Sequence, residues 1–164
     1  MVVGQKLRKG LLVLHIAVSV GWIGAAVTFL VVAVALAQGG NRELEQGAMA
    51  VLELIGWNVL VPLSLASLVT GIVQSLATPW GLIRHYWVLV KLLITVVATA
   101  VLLVFMQSFG HGGAGAEAGL HGGGQGSSSI LHASGGLVLL VLALLLSVYK
   151  PRGLTGWGAR KAQT

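Results

Sequence analysis

Apolar residues run through this chain in long blocks, not in the short alternation of a strand. Four blocks reach the roughly 20 residues that a helix needs to cross the hydrocarbon of a bilayer. They cover about 11–37, 57–77, 86–107 and 130–149. This pattern predicts an all-α, four-helix transmembrane bundle forming one domain. Between the first two blocks, Leu44, Ala48, Leu52 and Ile55 fall on one helical face, with Asn41 placed as N-cap and Glu43 in the first turn. They predict a short amphipathic helix that lies on the membrane surface or extends the first span. Between the last two blocks, nine of the twenty residues 110–129 are glycine, which predicts a flexible, solvated loop separating two helical hairpins.

Composition fixes the solvent. Of 164 residues, 56% are hydrophobic and 9% charged, against roughly 25% charged in a soluble domain. Such a chain cannot cover a globule with polar surface, so lipid must surround it. The net charge of +6 does not point to nucleic acid, because the basic residues cluster at span ends. Lys6, Arg8 and Lys9 precede the first span, Arg84 lies between the second and third, and Lys150, Arg152, Arg160 and Lys161 follow the fourth. The other two loops carry only Arg42. The positive-inside rule then predicts both termini on the cytoplasmic side of the cell membrane, the parity that four spans require. The basic start and "ALAQ" (35–38) resemble a secretory signal, but the apolar stretch between them exceeds the 7–15 residues of such a segment. We read it as a retained helix.

Cysteine and aspartate are absent, and the only acids are Glu43, Glu45, Glu53 and Glu117. Disulfides, iron–sulfur clusters and thiolate metal sites are excluded, and two-carboxylate hydrolysis is poorly supplied. No nucleophile–base pair, phosphate loop or nucleotide signature is visible.

The stretch "HYWVLVKLLIT" (85–95) places Lys91 about five residues, or roughly 8 Å, into the third span. His15 enters the first span to a similar depth, and Gln74 lies the same short distance from the end of the second. Ser147 and Tyr149 on the fourth lie slightly nearer the surface. A shallow lysine can extend its ammonium to the headgroups, and His15 and Gln74 can serve as interhelical hydrogen-bonding groups. The sharper alternative is a ligand pocket in the cytoplasmic half. No acid shares this depth, so an anionic group such as a haem propionate, a quinone oxygen or a lipid phosphate would serve as counter-ion. His85 sits at the membrane edge, about 120° around the helix from Lys91, where it is an interfacial side chain or a second ligand. His111, His121 and His132 lie on the opposite side. Their spacings match no compact metal motif, although copper or another ion is a candidate for them. His132, at the start of the fourth span, would cap that helix or ligate a cofactor.

Small residues predict where helices approach: Ser67, Gly71 and Ser75 on the second span, Gly21, Gly24 and Ala25 on the first, and "HASGG" on the fourth. Pro62 is placed to bend the second span. Trp57, Trp80 and Trp87 fall near span ends as anchors do, and Trp22 lies deeper.

"LHIAVSVGWIGAAVTFLVVA", "TPWGLIRHYWVLVKLLIT" and "LSVYKPRGLTGWG" resemble a group of small actinobacterial four-span membrane proteins of unknown function. More distantly, His15 and "WVLVK" are similar to HemJ-type membrane protoporphyrinogen oxidases and to copper-resistance D domains. Trp87 and Lys91 match the HemJ-type pattern, while Leu89 stands where that pattern has histidine. The resemblance implies a shared bundle and a tetrapyrrole pocket, with haem b on His15. Three functions follow as expectations. One is a membrane protein binding haem or a quinone-like ligand through His15, Lys91, Gln74 and His85. Another is a non-catalytic accessory or scaffold protein, in a homo-oligomer or larger membrane complex. The last is handling of copper or another metal ion through the histidines of the opposite side.

Overall fold

The computed structural model describes residues 4–77, 85–112 and 122–149 together with Gly153; for 109–112 and 122–125 it describes backbone alone. The described residues form helices α1 (Gln5–Ala37), α2 (Arg42–Ile55), α3 (Val61–Ala77), α4 (Tyr86–Gly112) and α5 (Gly122–Tyr149), with a π-helical turn at Gly56–Leu60 between α2 and α3. α1 starts six residues before its apolar block, because straight-chain residues such as Gln5 and Lys6 join a helix at little entropic cost. It stops where Gly39 takes φ 75° and donates its N–H to the Leu36 carbonyl, a left-handed close that glycine alone adopts without strain.

The amphipathic segment is a helix, but it extends the second span, not the first. Asn41 caps it, accepting from the Leu44 N–H at 2.9 Å. Leu52 is fully buried, with Ala48 and Ile55 packed beside it, while Leu44 is exposed. α2, the π-turn and α3 run on as one helix of 36 residues, Arg42–Ala77. Pro62 explains the wide turn. Its ring has no N–H to donate and crowds the carbonyl four residues back. The Val61 N–H reaches five residues back to the Gly56 carbonyl, and the Asn58 side chain donates to the Leu54 carbonyl at 3.0 Å. Pro62 thus acts through a π-turn that re-satisfies the backbone.

α1 packs on α3 and α5, and α4 packs on the same two helices. The long helices therefore form a closed square with α1 and α4 on one diagonal, which Phe29 and Phe105 bridge edge to face at 6.3 Å. α2 lies against the last turns of α1. One end of the bundle carries the first residues of α1 and the last of α5 (the termini end); the other is the far end. The outward faces of the four spans are mostly apolar: Val13, Val31, Leu131 and Val148 are all more than half exposed. All four spans are long and apolar enough to cross a membrane, and lipid is the solvent that such a surface requires. The chain is an all-α, multi-pass membrane protein.

Two boundaries differ from the sequence reading. α4 runs to Gly112 and α5 begins at Gly122, so both ends of the glycine-rich stretch are helical. Close approach accounts for part of this. A Cβ on Gly126 would lie 2.7 Å from the backbone of Ala37, so only glycine lets α5 meet the end of α1 there. Residues 113–121, with His121 and Glu117, lie outside the described residues, as do Arg84, Trp80 and the tail beyond Gly153.

Candidate functional site

Helix register decides which polar side chains meet. α1 and α3 are antiparallel, pairing His15 with Thr70 and Ser19 with Ser67. His15 Nδ1 lies 2.9 Å from Thr70 Oγ1. The threonine hydroxyl donates its one proton to the Ala66 carbonyl at 2.7 Å, so its oxygen accepts from the imidazole. Nδ1 therefore carries the ring proton and Nε2 keeps its lone pair. One edge of the ring rests on Gly71, where a Cβ would stand 3.2 Å from Cε1. The Ser67–Gly71 face is thus turned inward as its spacing predicts, and Ser67 is buried.

Lys91 follows the same logic across α4 and α5. Its ammonium donates to Ser147 Oγ at 3.3 Å. The described acids, Glu43, Glu45 and Glu53, all stand on α2 at the far end. His15 pairs with Thr70 rather than with Gln74, which lies about one turn nearer the termini end. Gln74 Oε1 is buried with no hydrogen-bond partner. His85 precedes α4 at the membrane edge, 6.5 Å from the Trp87 ring. Beside it the Tyr86 N–H meets the Gly153 carbonyl at 3.4 Å, which brings the chain after α5 back across the start of α4. The sequence placed His15 and Lys91 at one depth. It did not disclose their partners, because hydroxyls on Leu-rich helices carry no periodic signal.

The far half is built differently. A cavity of about 400 Å³ opens between α1, the π-turn, α4 and α5. Trp22, Phe29, Leu60, Phe105, Leu140 and His132 contribute to its wall. Trp22, the tryptophan set deeper than the others, is buried here. Gly135 and Gly136 also line the space, and a Cβ on either would meet nothing within 4 Å. The sequence suggested that this pair draws helices together; it holds a gap open instead. Gly24 likewise faces no neighbour, and a Cβ on Gly21 would make ordinary contact with Leu63 at 3.8 Å.

His132 does not cap α5, which begins ten residues earlier. Its ring stacks on Phe105 with centroids 4.3 Å apart and planes at 21°. Nδ1 lies 2.8 Å from the Ser128 carbonyl. A carbonyl only accepts, so Nδ1 bears the proton and Nε2 is a bare acceptor. Thr99 Oγ1, beside the cavity-lining Ala98, and Ser129 Oγ are buried without partners. Their isolation is unusual in this bundle. Ser64, Thr70, Thr95 and Ser108 all donate to carbonyls three or four residues back on their own helices.

Among the described residues, no three of His, Cys, Asp and Glu gather as a metal site. The side chains of His111 and His121 lie outside the described residues. No family model, curated protein or solved structure matches this chain. What the site can do is therefore read from its own residues: a half-open, largely apolar chamber walled in part by His132 and Trp22 at the far half, and a hydroxyl-tied imidazole and ammonium at the termini half.

Proposed function

We propose that this multi-pass membrane protein binds a small, flat, apolar ligand of the quinone-like class within the far half of its bundle. The observation that carries this is the cavity of about 400 Å³, within the range of roughly 300–1,000 Å³ typical of small-molecule pockets. Aromatic rings on three sides offer faces for a planar ring, and Gly135 and Gly136 keep the space unfilled. Ligands reach it by partitioning from lipid. The distribution of lysine and arginine supports insertion in the cell membrane with both termini in the cytoplasm. Binding is tested by titrating a short-chain quinone and, separately, its hydroquinone into the protein in lipid nanodiscs and following tryptophan fluorescence, saturable quenching by either form counting as binding. Quenching that is saturable, and that Trp22→Phe reduces, supports the reading; quenching linear in bilayer concentration removes it.

A second reading attaches to the termini half, where the His15 tautomer leaves Nε2 with its lone pair at the level of Lys91. Haem, when bound, would supply one-electron chemistry at iron. His15 Nε2 is the nitrogen suited to hold it, and Lys91 the cation suited to a propionate, with Gln74 and His85 as neighbours nearer the membrane edge. A Soret band in the purified protein that His15→Ala abolishes supports this reading; its absence after haem addition ends it.

A further inference from the structure

The cavity has a polarity as well as a volume. Of the wall residues named above, only His132 and Trp22 carry a side-chain polar atom. The Trp22 indole N–H is a donor near the midpoint of the helices, and His132 makes no hydrogen bond among the described residues besides the one to Ser128. That bond fixes the ring proton on Nδ1. The stacking on Phe105 holds the ring plane. At the His132 end, away from the Trp22 N–H, the polar atom left for a ligand is Nε2, and it can only accept.

An acceptor selects a donor. A quinone ring offers carbonyl oxygens, which would face the lone pair of Nε2 unpaired and desolvated. A hydroquinone or phenol offers an O–H, which completes the bond. The cavity also has a direction. From His132 to Leu140 on α5 is eight residues, or about 12 Å along the bundle. His132 lies toward the far end, and Trp22 and Leu140 lie near the midpoint of the helices. A ligand with its hydroxyl at His132 therefore extends an apolar body toward the middle of the bilayer, the orientation that an amphipathic molecule already holds in lipid.

We infer that the cavity selects a membrane-soluble phenol or hydroquinone, bound through its free hydroxyl to His132 Nε2, over the corresponding quinone or ether. The inference rests on the ligand-binding function proposed above and adds the chemical form of the ligand. It makes the protein a reader of the reduced, hydroxyl-bearing form of a ring lipid, and it requires no electron transfer by the protein itself.

The test uses 4-hexylphenol and its methyl ether, 4-hexylanisole, two redox-inert probes of nearly equal shape. Each is titrated into the full chain in nanodiscs, with concentration expressed as mole fraction in the bilayer. One unmade hydrogen bond predicts about tenfold tighter binding of the phenol. The His132 Nε2 nitrogen resonance moves with the phenol and not with the ether. His132→Phe, which keeps the stacking ring and removes the acceptor, makes the two probes bind alike. If the phenol and ether bind the unaltered protein equally, donor selection is overturned while the cavity stands. If neither binds saturably, the cavity reading falls with it. The ratio measured on the unaltered protein decides the question even if the variant fails to fold.

Discussion

The two halves of this bundle solve the problem of polar groups in lipid in opposite ways. At the termini end, polar side chains are spent on one another across helices: His15 on Thr70, Ser19 on Ser67, Lys91 on Ser147. Each bond ties two elements and fixes a register. At the far end no such tie crosses the chamber. Its one imidazole turns back to its own helix at Ser128, and aromatic and glycine residues leave volume unfilled. Interhelical hydrogen bonds and close packing are what hold helices together in lipid. A half that has both is suited to being structural, and a half that lacks the ties and keeps a void is suited to taking in a guest.

This contrast can be broken most sharply by filling the void. Gly135→Leu puts a side chain into open space on a helix that gains propensity from the change. We expect it to weaken ring-ligand binding by about ten- to a hundredfold, the worth of roughly one buried apolar side chain, with unchanged helix content. Titration in nanodiscs checks the first and circular dichroism the second. Next in size is Thr70→Val. It strands the His15 Nδ1 proton between α1 and α3 and lowers stability by about 1–2 kcal/mol, measured by unfolding in mixed micelles. It leaves binding at the far half intact, and an equal loss of binding would show that the halves are coupled. Thr99→Val removes an unpartnered buried hydroxyl without changing shape. We expect a gain of about 1 kcal/mol in the same assay; a loss would mean that this hydroxyl has a partner that stabilises the bundle. The smallest effect is Lys91→Met. The lost hydrogen bond to Ser147 is offset by no longer holding an ammonium in an apolar span, so the change stays within about 0.5 kcal/mol.

Much of the termini half was legible in the sequence, because a charged or ring residue in an apolar block announces itself. Depth counting along His15 and Lys91 placed them at one level. Gln74 was placed a turn too deep, since counting from an apparent span end cannot supply the register that Thr70 reveals. The far half was nearly silent. A cavity is made of what is missing, and Gly135 and Gly136 look the same in a sequence whether they admit a neighbouring helix or leave a gap. Only Trp22, deeper than an interfacial anchor belongs, marked the place. The extended α2–α3 helix was hidden for a related reason. The amphipathic segment reads as lying on the surface or extending the first span, with Pro62 bending the second, and it takes three dimensions to see the Asn58 side chain and the Gly56 carbonyl carry one helix through.

That mended helix has a consequence for how the protein meets its surroundings. Thirty-six residues make a rod about 54 Å long, while the hydrocarbon of a bilayer is about 30 Å deep. Part of the rod must stand clear of the acyl chains, and the charged stretch Arg42–Glu45 places the emergent part at the hairpin tip. The tip is thus a mast rising above the lipid headgroups, stiff because it shares one continuous backbone with a buried span. Unbroken helical backbone joins Glu45 at its head to Leu60, one wall of the chamber below.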